Sequence, residues 1–114
     1  MDKNELKNRT KQFALEVIKL TEELPATYLA QHIKKQLIRC STSVAANYRA
    51  ACLAQSRASY IAKLSIVIEE ADESEFWLEL IEEERLLENI NNLKKEAHEL
   101  ASIFIVTRKS LRYK

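Results

Sequence analysis

The sequence predicts an all-α fold, four helices in an up-down-up-down bundle, and three observations carry that prediction. The 114 residues contain no glycine and a single proline. Apolar residues recur at helical spacing nearly from end to end, and the stretches they define are joined by connections short enough to require antiparallel neighbours. The missing glycine also excludes function classes. Turns with positive φ and loops that cradle phosphates favour glycine, so β-rich domains and the common nucleotide-binding enzymes are poor fits to this chain.

The first helix is expected over 4–23. Leu6, Thr10, Phe13, Val17, Leu20 and Leu24 follow one another at spacings of 4, 3, 4, 3 and 4, and Ala14, Ile18 and Thr21 widen that seam into a core-facing band. Pro25 ends it. A second helix, over 27–53, has Thr27 as its N-cap and carries Ile33, Leu37, Cys40, Val44, Asn47 and Ala51, a seam unusually polar and small. Only Ser56 marks the next boundary. The third helix, 57–84, presents Tyr60, Ile61, Leu64, Val67, Ile68, Ala71, Ser74, Trp77, Leu78 and Ile81, dense enough to be buried on more than one side. The fourth, 89–112, presents Ile90, Leu93, Ala97, Leu100, Phe104, Thr107 and Leu111. With Tyr60, Phe76 and Trp77 in addition to the main seam, these helices carry more apolar surface than one four-helix core buries. Self-association is therefore expected.

Composition narrows the remaining options. No apolar run reaches the roughly eighteen residues of a membrane span, and the N-terminal residues lack the apolar stretch of a secretory signal, so a cytoplasmic chain is expected. Cys40 and Cys52 are 12 residues apart on one predicted helix. At 1.5 Å per residue that is about 18 Å, far beyond disulfide reach, and reduced thiols are expected. Glutamate-rich bundles can hold carboxylate-bridged metals, but such sites use a Glu-x-x-His pair. Here Lys95 stands three residues before His98 and Leu29 three before His32. No matched nucleophile and base is evident, and no cofactor, metal or catalytic residue is expected.

Polar residues on apolar faces form the most conspicuous constellation. Arg39, Ser43 and Asn47 on the second helix can meet Glu70 and Glu73 on the third, with Trp77 one turn further. One reading is a small acid–base site; the other is a satisfied polar cluster that fixes register or a subunit contact. Charge is also segregated along the chain. Residues 1–63 hold 11 Lys/Arg against 5 Asp/Glu, residues 64–99 hold 3 against 12, and residues 100–114 hold 4 against none. Lys7, Lys11, Arg49, Arg57, Arg108, Lys109 and Arg112, together with Lys114, are the candidate phosphate contacts. Charge complementarity between neighbouring subunits is the competing use of the same segregation.

Three stretches carry a family resemblance: Phe13-Ala14 with Val17-Ile18, Leu20 and Leu24-Pro25; Gln36-Leu37-Ile38-Arg39-Cys40-Ser41-Thr42-Ser43-Val44-Ala45-Ala46-Asn47; and Glu70-Ala71-Asp72-Glu73-Ser74-Glu75-Phe76-Trp77-Leu78-Glu79-Leu80. Together they resemble the bacterial four-helix-bundle family encoded within intervening sequences of large-subunit ribosomal RNA genes. The resemblance implies a left-handed bundle that assembles as a ring-like homopentamer. It also implies kinship with the accessory protein of diversity-generating retroelements, whose similar pentamer engages nucleic acid through a basic surface. Many members follow the motif's asparagine with a segment ending in glycine. Here Tyr48-Arg49-Ala50-Ala51-Cys52 follows Asn47 and extends the helix. The resemblance carries no established activity, and two function classes stand, with a carboxylate-bridged metal enzyme a remote third. One is a homo-oligomer that binds RNA or DNA through backbone phosphates, without base-specific contacts. The other is a scaffold whose partner is another protein.

Overall fold

Asp2, Thr27 and Ser56 lie in extended backbone just ahead of three amphipathic runs. Each offers a side-chain oxygen to a backbone N–H three residues on, from Glu5 at 2.8 Å, Ala30 at 3.2 Å and Ser59 at 3.1 Å. Such N-caps satisfy one of the amide groups that a helix start leaves without a partner. The Glu5 N–H, favouring the ionised form, holds the Asp2 carboxyl below its ordinary value.

These caps open α1 (Lys3–Thr21), α2 (Tyr28–Cys52) and α3 (Arg57–Glu83), and α4 (Asn91–Arg112) completes the chain. The structure, a computed structural model, describes residues 1–113, and no strand occurs among them. Lys114, one of the candidate phosphate contacts, lies outside the described residues.

The fourth helix starts two residues later than its periodicity suggests. Asn89, the polar residue expected to open it, has φ 59°, and Ile90 stands at the N-cap position without any side-chain cap. Ile90 is buried in the core, so packing and not capping sets this start. At the other side of the connection, Arg85 takes φ 54°. The Leu86 N–H then reaches the Ile81 carbonyl at 3.0 Å and the Arg85 N–H reaches Glu82 at 3.1 Å, a Schellman closure of α3. Glycine usually occupies that left-handed position, and this chain makes the turn without it.

Antiparallel packing follows from which residues meet. Arg9 of α1 reaches Glu96 of α4, Cys40 of α2 reaches Ser74 of α3, and Ser65 and Glu82 of α3 reach Arg108 and Lys94 of α4. The result is an up-down-up-down bundle 47 × 21 × 19 Å, in which α2 packs most extensively on α3, α1 only lightly on α4, and the backbones of α1 and α3 stand diagonally apart. Phe13, Val17, Ile33, Leu37, Leu64, Leu78, Leu100 and Phe104 are among the fully buried core residues. Each contributes roughly 1.5–3 kcal/mol relative to exposure.

The polar residues in this core are satisfied close to home. Thr10, Thr21, Ser41 and Ser74 donate to carbonyls three or four residues back, at Leu6, Ile18, Ile38 and Glu70. No buried side-chain nitrogen or oxygen among the described residues lacks a partner. Ser74 Oγ also lies 3.2 Å from Cys40 Sγ, so the small, polar seam foreseen for α2 meets a small residue of α3.

Candidate nucleic-acid interface

The topology brings the N-terminus of α1, the α2–α3 connection and the C-terminus of α4 to one end of the long axis. Around a cleft there stand Lys3, Ser56, Arg57, Tyr60, Thr107 and Leu111. The half of the molecule nearest that end, residues 1–12, 41–69 and 102–113, holds ten Lys/Arg against three Asp/Glu. The opposite half, residues 13–40 and 70–101, holds seven against fourteen. Counted by helix halves, formal charge is therefore +7 toward one end and −7 toward the other, with Arg9 of the first half bonded to Glu96 and Glu99 of the second across the dividing level. Like charges gathered at one end sum into a potential that attracts polyanions.

Individual cations differ in what they are free to do. Lys3 Nζ sits 4.8 Å from the Tyr60 ring centroid, a cation–π contact that leaves the ammonium beside the cleft. Half-buried Arg108 donates from Nη1 to Ser65 Oγ at 3.1 Å, tying α4 to α3. Lys109 and Arg112 are exposed on the last turns of α4, where they also complement the helix dipole. Lys11 and Arg49 flank a groove between α1 and α2, and Lys7 stands one turn from Lys11. Among the described residues, Lys7, Lys11, Arg49, Lys109 and Arg112 have no carboxylate within ion-pair distance.

Arg9 contrasts with them, although sequence reasoning did not single it out. Its guanidinium meets Glu96 through Nε at 2.8 Å and Nη2 at 2.7 Å, and Nη2 also lies 2.9 Å from Glu99. Hydrogen bonds to the two glutamates raise its pKa further above the ordinary arginine value. The partners are 87 residues apart in sequence, so no local pattern announces the clamp.

The polar constellation divides in two. Arg39 bonds Glu70 Oε2 at 3.2 Å and also Glu73, Trp77 Nε1 donates to Glu73 Oε2 at 2.9 Å, and the Trp77 ring meets His32 edge-on at 5.6 Å. These residues form one network on the α2–α3 face. Ser43 and Asn47 do not join it. Asn47 is half-buried, and its Nδ2 donates back along its own helix to Ser43 Oγ at 2.8 Å and Ser43 O at 3.1 Å. Eight residues beyond Arg39, Asn47 is displaced by about 12 Å along α2, which keeps the two sets apart.

The buried Cys40 is not an activated nucleophile. Burial pushes the Cys40 thiol up to about 11, away from the reactive thiolate. Both cysteines are free, Cys52 half-buried. The exposed His98 meets Glu75 at 3.1 Å. Among the described residues no group of three or more His, Cys, Asp or Glu is placed to hold a metal ion, and no helix is long and apolar enough to cross a membrane.

A sequence model of the family described as 23S rRNA-intervening sequence protein matches residues 2–105. Arg108, Lys109 and Arg112 lie beyond the matched residues. No curated protein matches the chain significantly. Among solved structures, a protein with unknown function from the S23 ribosomal protein family of Bacteroides thetaiotaomicron VPI-5482 is similar, with 31% sequence identity and a TM-score of 0.82. The match covers 96% of this chain and 99% of that one.

Proposed function

The chain belongs to the 23S rRNA-intervening sequence protein family, and we propose that it is a non-enzymatic, cytoplasmic module that self-assembles and holds RNA or DNA through backbone phosphates at its basic pole. The assembly proposed is a ring of five left-handed bundles, the form that the family resemblance implies. The observation that carries this reading is the pole itself: ten cations against three carboxylates in the helix halves at one end, of which Lys109 and Arg112 are exposed and have no carboxylate within ion-pair distance among the described residues. When identical chains stand side by side around an axis, their like poles align on one rim. A modest charge per chain then becomes a multivalent surface.

An electrophoretic mobility shift at two salt concentrations tests the proposal. Affinity falls steeply with salt and varies little with sequence, because counterion release supplies most of the free energy. Lys109→Glu with Arg112→Glu weakens binding at low salt and flattens the salt dependence, while the oligomer persists. Arg108 is spared in that variant because its bond to Ser65 holds α4 to α3. Failure to bind any RNA or DNA at low salt removes the nucleic-acid reading. The protein scaffold then stands in its place, a reading favoured by exposed large apolar residues such as Leu53 and Val106, 81% and 67% exposed.

A further inference from the structure

Helix α3 carries large apolar side chains off its core face as well as on it. Leu64, Val67, Leu78 and Ile81 face the core, while Ile66 and Phe76 stay 38% and 48% exposed on the outward side. A helix of this kind is one that neighbours cover from both directions, yet within the chain only the core side is covered. The outward stripe also carries Glu69, Asp72 and Glu79, which have no cation within ion-pair distance among the described residues. Glu70 and Glu73, one step around the helix, are already taken by Arg39.

A complementary surface exists elsewhere on the same molecule. The groove between α1 and α2 has a floor of Leu15, Ile18, Ala45 and Ala46, with Leu15 48% exposed, and is flanked by the unpaired Lys11 and Arg49. No carboxylate lines it. Small alanines let a second helix approach closely, and the groove runs for two to three turns, as does the stripe from Glu69 to Glu79, about 15 Å long.

We infer that the α1–α2 groove of one copy receives the outward stripe of α3 from a second copy, Ile66 and Phe76 against Leu15 and the alanines, Glu69 and Asp72 toward Lys11 and Arg49. This rests on the self-assembly proposed above and names the surfaces that meet. Because α1 and α3 lie diagonally opposed in the bundle, groove and stripe are different surfaces. The contact is therefore heterologous, the type that builds closed rings or filaments and not simple two-fold dimers. It also divides the basic residues by task. Lys11 and Arg49 serve the subunit contact, and the polar end serves phosphate.

Three variants at about 20 µM, followed by light scattering and far-ultraviolet circular dichroism, test the inference. Lys11→Glu with Arg49→Glu places four like charges across the contact, and Glu69→Lys with Asp72→Lys does the same with opposite sign. Each pair weakens association by more than about a hundredfold and leaves helicity unchanged, since all four side chains are exposed. Combining both pairs in one chain restores the wild-type mass. That rescue separates a broken contact from misfolding, which a second pair of reversals on another helix does not repair. Wild-type mass in either double variant, or dissociation of the combined variant, overturns the inference. So does a Lys11→Glu, Arg49→Glu protein that keeps its mass but loses nucleic acid, which would assign the groove to phosphate. A monomeric wild-type chain would defeat the self-assembly proposal along with this contact, whereas the Lys109 and Arg112 variant tests nucleic-acid binding separately.

Discussion

Cys40 shows how a single residue reports its surroundings. Its sulfur is fully enclosed, and this burial favours the neutral thiol against the opposing hydrogen bond from Ser74 Oγ, so the pKa rises from 9.0 to about 11. Between those values the native state binds more protons than the unfolded chain. Stability contributed by the neutral thiol is thus fully present below pH 9 and is lost as pH rises toward 11, with a limiting slope of about 1.4 kcal/mol per pH unit. Urea midpoints measured from pH 8 to 11 should fall less steeply in Cys40→Ala than in the wild type, although the variant starts lower because it leaves a small cavity. Equal slopes would show that the buried thiol does not govern the alkaline limb. Tyr48 shares that limb, since burial, with Tyr60 and Cys52 nearby, also raises its pKa. Asn47 makes the opposite point. Its seam position predicts a register-setting contact, but among the described residues its amide bonds only within α2.

At the level of elements, the helix starts and stops differ in how they are made. α1, α2 and α3 begin with side-chain caps, and removing one by Ser56→Ala is expected to cost about 1 kcal/mol. The end of α3 is strained instead. Arg85 holds φ 54° to complete the Schellman closure, a conformation that costs a residue with a Cβ roughly 1–2 kcal/mol. Arg85→Gly relieves that cost but gives the unfolded chain more freedom. The net gain expected is about 0.5–1 kcal/mol, read as a higher urea midpoint with an unchanged m-value. A loss of stability would mean that the Arg85 side chain contributes more than its backbone costs. Asn89, also left-handed, is a residue type that tolerates the conformation and needs no such replacement.

Across the whole molecule, contact is uneven. The α2–α3 and α3–α4 pairs are the most extensive, while α1 meets α4 only lightly, and Arg9 with Glu96 and Glu99 is the polar clamp across that seam. Helices with fewer packed neighbours open first in native-state exchange. Arg9→Ala should therefore speed amide exchange in α1 while leaving the middle of α2 and α3 unchanged, at a cost to global stability of about 1 kcal/mol. Uniform acceleration across all four helices would instead show that α1 opens only with the whole bundle. The same geometry sorts charge by height along the axis, and this separation underlies both the proposed phosphate surface and the proposed contact between copies.

The all-helical fold, the number of helices and three of the four helix starts were legible in the sequence because they are local. A seam such as Leu6, Thr10, Phe13 and Val17 recurs every three to four residues, and a cap such as Ser56 acts on an amide three residues away. Register between helices is not local. One turn of offset moves a side chain by about 5.4 Å, enough to separate Asn47 from Glu70 and Glu73 or to join Arg9 to Glu96. The three charge blocks were visible along the chain, but α1 and α2 each run from the basic end toward the other end or back, so the first block is shared between both halves. Only the antiparallel packing decided which cations gather at one end and which flank a groove, because that depends on distances between residues far apart in sequence.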